Sequence, residues 1–277
     1  MASVSTTPVH TGLGALRYVV PNSFTALSML LGLASVTRSA AGDYRLAAWM
    51  ILWGVLLDKL DGTAARALKA SSQFGVQFDS FADFVVFGFA PAGLFFFRLR
   101  GEVPGPLLYA ATGAFVLATC GRLARFNITT PPMGDRVFYG VPTTLVGALL
   151  GSAYLTWDKY ALDPALLRLA PYALLVCAAL MVSTVKLPKL VVRKSMVLNV
   201  LQFANVAFVY ALGPLRLLPE YLFACALAYV LVGAGYYAVR PPRPDEPSAP
   251  AKSGQASGAS EPGAPRDVEP EEAGAGA

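Results

Sequence analysis

A chain of 277 residues that is 55% hydrophobic and only 14% charged, with a mean hydropathy of +0.53, is too apolar for a soluble domain, in which about a quarter of residues are charged. Its formal net charge of +5 suits an anionic membrane surface, and no nucleic-acid partner is expected. The one histidine, His10, lies in the polar leader, which excludes Ser-His and Cys-His catalytic arrangements; Cys120, Cys177 and Cys225 lack CxxC spacing and suggest neither a disulfide frame nor a zinc site.

In chain order, residues 1–20 read as a polar leader and juxtamembrane segment without the pattern of a cleavable signal. Eight apolar segments follow, near residues 23–41, 45–68, 76–98, 106–125, 138–156, 165–184, 197–213 and 219–239, each close to the roughly 20 residues that span a bilayer as a helix. They define a transmembrane domain over residues 21–240, of all-α integral-membrane class, with both termini on one side. The second, fourth and sixth connections hold Arg66, Lys69, Arg122, Arg125, Arg136, Lys186, Lys189, Arg193 and Lys194, and Arg17, Arg240 and Arg243 flank the outermost spans on that same side. The positive-inside rule makes that side cytoplasmic, and a bacterial inner membrane is the expected location. Residues 241–277, rich in Pro, Gly, Ala and Ser and net acidic, are predicted to be disordered.

The chemistry concentrates where the second and third segments meet, in LDKLDGTAARALKASSQFGVQFDSFADF. Asp58 and Asp61 are three apart and Asp79 and Asp83 four apart, so each pair shares one helical face, and the short connection brings all four to one membrane depth. Ionised aspartates in a membrane are costly, and four together repel. An all-carboxylate donor set without Cys or His points to hard divalent ions, Mg²⁺ or Mn²⁺, expected as a pair, as suits phosphoryl displacement. Gly62, Ala64, Ala65 and Gly75 leave room for a ligand, and Arg66 supplies a bidentate donor for phosphate oxygens. With His10 remote and no cysteine close by, a carboxylate is the group suited to act as a base; Asp83, one turn beyond Asp79, is the expected one.

The run Asp58-x-x-Asp61-Gly62-x-x-Ala65-Arg66, eight residues, Gly75-x-x-x-Asp79-x-x-x-Asp83 resembles the signature of the CDP-alcohol phosphotransferases at every position. The resemblance implies a fold of about eight transmembrane helices, metal ligation by Asp58, Asp61 and Asp79, and a double role for Asp83 as ligand and general base. It also implies contacts to the CDP moiety from Gly62, Arg66 and Ser72, with Ala65 and Gly75 of the signature, and from Asn22 to Thr25 in PNSFT. The order PNSFT, signature, FGFAP (87–91), GRLARFN (121–127), FYGVPTT (138–144) is similar to the membrane-bound phosphatidylserine synthases of bacteria and archaea. That implies CDP-diacylglycerol and L-serine as substrates among membrane lipids, and is compatible with a homodimer. There are two departures from that subfamily: Val86 stands where Ser is usual, and Val141-Pro142-Thr143-Thr144 replaces Leu-Pro-Thr-Pro. Val86, one turn past Asp83, is expected near the acceptor.

Arg122, Arg125 and Asn127 of GRLARFN are the candidate acceptor contacts, a positive pair suited to a phosphate or carboxylate or, equally, to anchoring at the cytoplasmic boundary. Inositol phosphate, glycerol phosphate and choline remain rival acceptors. From another class, four carboxylates also suit the ion path of a cation transporter, although such sites favour the midplane of broken, repeated helices. A scaffold that has lost catalysis would have no need of the base Asp83.

Overall fold

The computed structural model describes residues 13–129, 137–188 and 196–239. Residues 1–12 of the leader, with His10, the loop cations Arg136, Lys189, Arg193 and Lys194, and the acidic tail lie outside the described residues, whereas residues 13–20, read as leader in the sequence, form the start of the first helix. Each of the eight apolar segments forms a helix: α1 (Leu13–Ala40), α2 (Tyr44–Ala67), α3 (Gln73–Leu99), α4 (Gly105–Thr129), α5 (Thr143–Lys159), α6 (Pro164–Val182), α7 (Met196–Leu215) and α8 (Pro219–Val239). Five of them, α1, α3, α4, α6 and α8, are long and apolar enough to cross a membrane, so the architecture is all-α and integral to the membrane.

Local chemistry sets the helix ends. Asp43 caps α2 by accepting from the Leu46 amide at 3.3 Å, and Ser72 caps α3 by accepting from the Gly75 amide at 3.0 Å; each satisfies a donor that the first turn leaves orphaned. The α5 helix begins at Thr143 rather than near residue 138, because Val137–Tyr139 (β1) pairs antiparallel with Lys186–Pro188 (β2), Phe138 opposite Leu187. Gly140 follows with φ of 76°, a conformation that favours glycine, and Pro142 precedes the first helical residue. Arg122 and Arg125, counted with a connection in the sequence, lie within the closing turns of α4.

Helix α3 is not regular. It is α-helical over Gln73–Asp83, widens to a π-turn over Phe84–Phe89 and resumes over Ala90–Leu99. The phase shift drives Val86 and Phe87 into full burial. A Cβ on Gly54 would overlap Val86, one on Gly32 would stand 3.0 Å from it, and one on Gly147 would lie 2.6 Å from Phe87. Glycines on α1, α2 and α5 thus make the space that the widened turn fills. Around this centre α1 packs along α2, α4 against α6, and α5 against α2 and α8, while Leu27, Leu30, Leu33, Leu117 and Val176 stay exposed, the apolar exterior that a bilayer requires.

The two ends of the bundle differ. At one end, ion pairs join separate connections, Arg45 to Asp158 at 3.0 Å and Lys159 to Glu220 at 2.7 Å, and Arg98 pairs with Glu102 within one of them. At the other, the end of α2, the beginnings of α3 and α5, the end of α4 and the β-ribbon converge on the aspartates.

Candidate active site

Helix α2 ends in a tight reversal. The Ala70 amide donates to Ala65 O at 2.8 Å, and Lys69 adopts φ of 49°, so α3 starts antiparallel to α2 within a few residues. Asp58, Asp61 and Asp79 thereby each offer an oxygen within 4.8 Å of the others'. Asp83, one turn further along α3, faces the start of α5. Asp61 is buried and the other three half-buried.

Three of the four carboxylates receive a threonine hydroxyl from another helix. Thr25 of α1 donates to Asp61 Oδ2 at 2.8 Å, Thr143 of α5 to Asp83 Oδ2 at 3.3 Å, and Thr144 of α5 to Asp58 Oδ2 at 3.5 Å. Among the described residues none of the four is ion-paired. Clustered carboxylates out of water without a paired counter-charge are strongly unfavourable. Hard oxygen donors this close, held by threonine hydroxyls and, at Asp61, by the Gly62 backbone amide as well, fit a divalent metal ion, and the threonines supply the orienting hydrogen bonds that ligands need.

The expected nucleotide contacts fall into two groups. Gly75 brings Ser72 and Asn22 together: a Cβ at 75 would stand 3.2 Å from Ser72 Oγ and 3.5 Å from Asn22 Oδ1. On α2, a Cβ at Gly62 would stand 3.3 Å from Arg66 Nη1, so glycine leaves room for the guanidinium, which is exposed and reaches Thr63 Oγ1 at 3.4 Å. Ala65, half-buried, lies on the same final turns of α2. Thr25 is 3% exposed, with its hydroxyl on Asp61.

The three acceptor candidates also separate. Arg122 is 7% exposed, donates from Nη1 to Thr143 Oγ1 at 3.3 Å, and keeps a buried Nε without a hydrogen-bond partner. Arg125 instead spreads its fork over backbone carbonyls, Val182 at 2.7 Å and Tyr139, Met181 and Ser183 each at 3.3 Å. Asn127 bonds Ser80 at 3.0 Å and Gln77 at 3.4 Å, tying α4 to α3 beside Asp79. Val86 was expected near the acceptor; the widened turn carries it instead into the Gly32–Gly54 notch, 0% exposed, where it offers a ligand no surface.

Thr143 and Thr144 carry no site role in the sequence reading, which notes them only as part of a departure from the subfamily. The signal was present in FYGVPTT, whose Gly and Pro forecast a break and whose paired hydroxyls sit at the helix start that follows.

The sequence model described as CDP-alcohol phosphatidyltransferase matches residues 18–185. A CDP-diacylglycerol--serine O-phosphatidyltransferase from Helicobacter pylori is 34% identical over 172 residues, covering 62% of this chain and 72% of that protein. One of the same description from Bacillus subtilis is 32% identical over 171 residues, covering 61% and 89%. An archaetidylserine synthase from Methanothermobacter thermautotrophicus is 31% identical over 177 residues, covering 61% and 70%.

Proposed function

The chain belongs to the CDP-alcohol phosphatidyltransferase family, and on that footing we propose that it transfers the phosphatidyl group of CDP-diacylglycerol to the hydroxyl of L-serine, releasing CMP and forming phosphatidylserine. The observation that carries this reading is the grouping of Asp58, Asp61 and Asp79, oxygens within 4.8 Å of one another, with Asp83 one turn on. The relatives described as serine phosphatidyltransferases support the acceptor.

Asp58, Asp61, Asp79 and Asp83 would hold a Mg²⁺ or Mn²⁺ pair, whose positive charge would act on the pyrophosphate oxygens. Asn22, Ser72 and Gly75 on one side and Gly62, Ala65 and Arg66 on the other flank the place for the CDP moiety, with Arg66 free to fork onto phosphate. Asp83 takes the proton from the serine hydroxyl, whose oxygen bonds to the phosphorus nearer the lipid as the bond to the CMP oxygen breaks. Arg122, with its unpartnered Nε, anchors the serine carboxylate. Asn127 and Arg125 bound the same pocket, Arg125 by holding its wall.

The reading extends to the whole chain. All eight helices cross the membrane, the aspartates and both termini face the cytoplasm of a bacterial inner membrane, and a homodimer is compatible with this arrangement. Residues 21–240 are the catalytic domain, and truncation after Arg243 leaves turnover within about threefold of the full chain, as for a segment outside a packed domain. The deciding experiment supplies purified protein with CDP-diacylglycerol, Mg²⁺ or Mn²⁺, and L-serine, inositol phosphate, glycerol phosphate or choline in turn, following CMP and the lipid product. Phosphatidylserine formed from serine alone bears out the reading; product from another alcohol and none from serine overturns it.

A further inference from the structure

Thr143 lies between the two charged groups assigned to the acceptor. Its Oγ1 accepts from Arg122 Nη1 at 3.3 Å and donates to Asp83 Oδ2 at 3.3 Å, and the residue is 1% exposed. Arg122 and Asp83, although joined through this one oxygen, form no ion pair with each other among the described residues. We propose that Thr143 is a positioning residue that keeps Arg122 and Asp83 apart, so that Asp83 stays available to the acceptor's hydroxyl and Arg122 to its carboxylate. This inference rests on the proposed roles of those two residues.

Without the hydroxyl, Arg122 and Asp83 would face each other directly. A guanidinium and a carboxylate in a poorly hydrated site attract strongly, and their preferred contact is direct and bidentate. Such a pair would occupy the lone pairs Asp83 needs to receive a proton. It would also turn the guanidinium fork of Arg122, with its unpartnered Nε, away from a ligand. A neutral hydroxyl serves both partners at once: its proton goes to Asp83, its lone pair to Arg122, and it cancels neither charge.

The hydroxyl is also held in place. Thr143 opens α5 directly after Pro142, and the two residues before the proline are pinned to α6 and the segment beyond it, Val141 N to Leu180 O at 3.2 Å and Gly140 N to Val185 O at 2.8 Å. Val141 itself is 1% exposed. These bonds anchor the start of α5, and with it the Thr143 hydroxyl between Arg122 and Asp83.

The test uses the full-length protein in detergent with Thr143→Val, which keeps the volume and removes the hydroxyl, and Thr143→Ser, which keeps the hydroxyl. CMP release is measured against serine concentration, and CDP-diacylglycerol binding is titrated separately with metal present. Thr143→Val should lower kcat by about tenfold or more and raise the serine KM while liponucleotide binding stays within about twofold; Thr143→Ser should restore both constants to within about threefold. In an Arg122→Gln background, where no pair can form, Thr143→Val should cost far less in kcat than in the wild type. A wild-type kcat and KM for Thr143→Val, no restoration by Ser, or an undiminished cost in the Arg122→Gln background overturns the proposal. Asp83→Asn in the same assay separates the two readings: near-wild-type turnover there removes the base itself, whereas an inactive Asp83→Asn beside a silent Thr143→Val removes only the spacer.

Discussion

Thr25 and Asp61 are 36 residues apart in the chain, yet the threonine Oγ1 donates to the aspartate Oδ2 at 2.8 Å across the α1–α2 interface. Both are buried, at 3% and 7% exposure. The bond orients the Asp61 carboxylate within the group it forms with Asp58 and Asp79. Removing such an orienting bond typically weakens metal affinity by about tenfold to a hundredfold. Thr25→Val should therefore raise the Mg²⁺ or Mn²⁺ concentration for half-maximal CMP release by that factor, and Thr25→Ser should not. An unchanged metal titration for Thr25→Val would show that Asp61 is oriented by something else.

The carboxylates themselves should be indispensable. Asp58→Ala, Asp61→Ala and Asp79→Ala each remove one member of a set whose oxygens lie within 4.8 Å, and each should nearly abolish CMP release while the protein keeps its elution profile in detergent. EDTA should silence the wild type, and added Mg²⁺ or Mn²⁺ should revive it. Turnover that persists in thoroughly chelated protein would separate the aspartates from metal binding.

How far the sequence could be read depends on the range over which each feature is encoded. Asp58 with Asp61 and Asp79 with Asp83 are visible because three- and four-residue spacings put side chains on one helical face, and the short reversal at Lys69 leaves the two helices no choice but to be neighbours. The eight helices are visible as apolar length. The widened turn over Phe84–Phe89 is not, because its cause is a fit between Val86 and Phe87 and glycines on three other helices. Regular α-helical phase therefore puts Val86 on the wrong side, beside the acceptor. The hydroxyl partners of the aspartates are equally hidden: Thr143 is 60 residues from Asp83 and Thr144 is 86 from Asp58, distances over which periodicity says nothing. The strands of the β-ribbon, three residues each, are too short to show alternation.

The Gly54–Val86 contact is open to a size-exchange test. A Cβ at 54 would overlap Val86, a residue with no exposed surface, so Gly54→Ala should destabilise the protein by about 1–3 kcal/mol, as overpacking generally does. Val86→Ala should relieve part of that loss in the double variant, which a thermal unfolding series in detergent would read. Val86→Ser alone should leave the acceptor preference unchanged, because residue 86 faces the glycine notch. Additive losses in the double variant, or a switch of acceptor with Val86→Ser, would contradict this placement.

Arg125 should behave differently from Arg122 even though the two are one turn apart on α4. Its fork serves the carbonyls of Val182, Tyr139, Met181 and Ser183. Those groups belong to the end of α6 and to the β-ribbon, where the last carbonyls of a helix lack intrahelical partners. The planar guanidinium reaches several acceptors at once, and a lysine ammonium on a flexible stem does not reproduce that fork. Two of these bonds are part-buried and two exposed, and a hydrogen bond to a charged group contributes about 1.5–3 kcal/mol, so Arg125→Ala should lower thermal stability by roughly 1–3 kcal/mol, and Arg125→Lys should recover little of it. Because the same carbonyl cluster fixes the approach to Thr143, kcat should fall with stability while the serine KM moves less than it does in Arg122→Gln. The measurement is a thermal melt beside a serine titration for each variant. A stable Arg125→Ala protein whose main defect is a raised serine KM would make Arg125 a direct ligand of the acceptor rather than the support of its pocket.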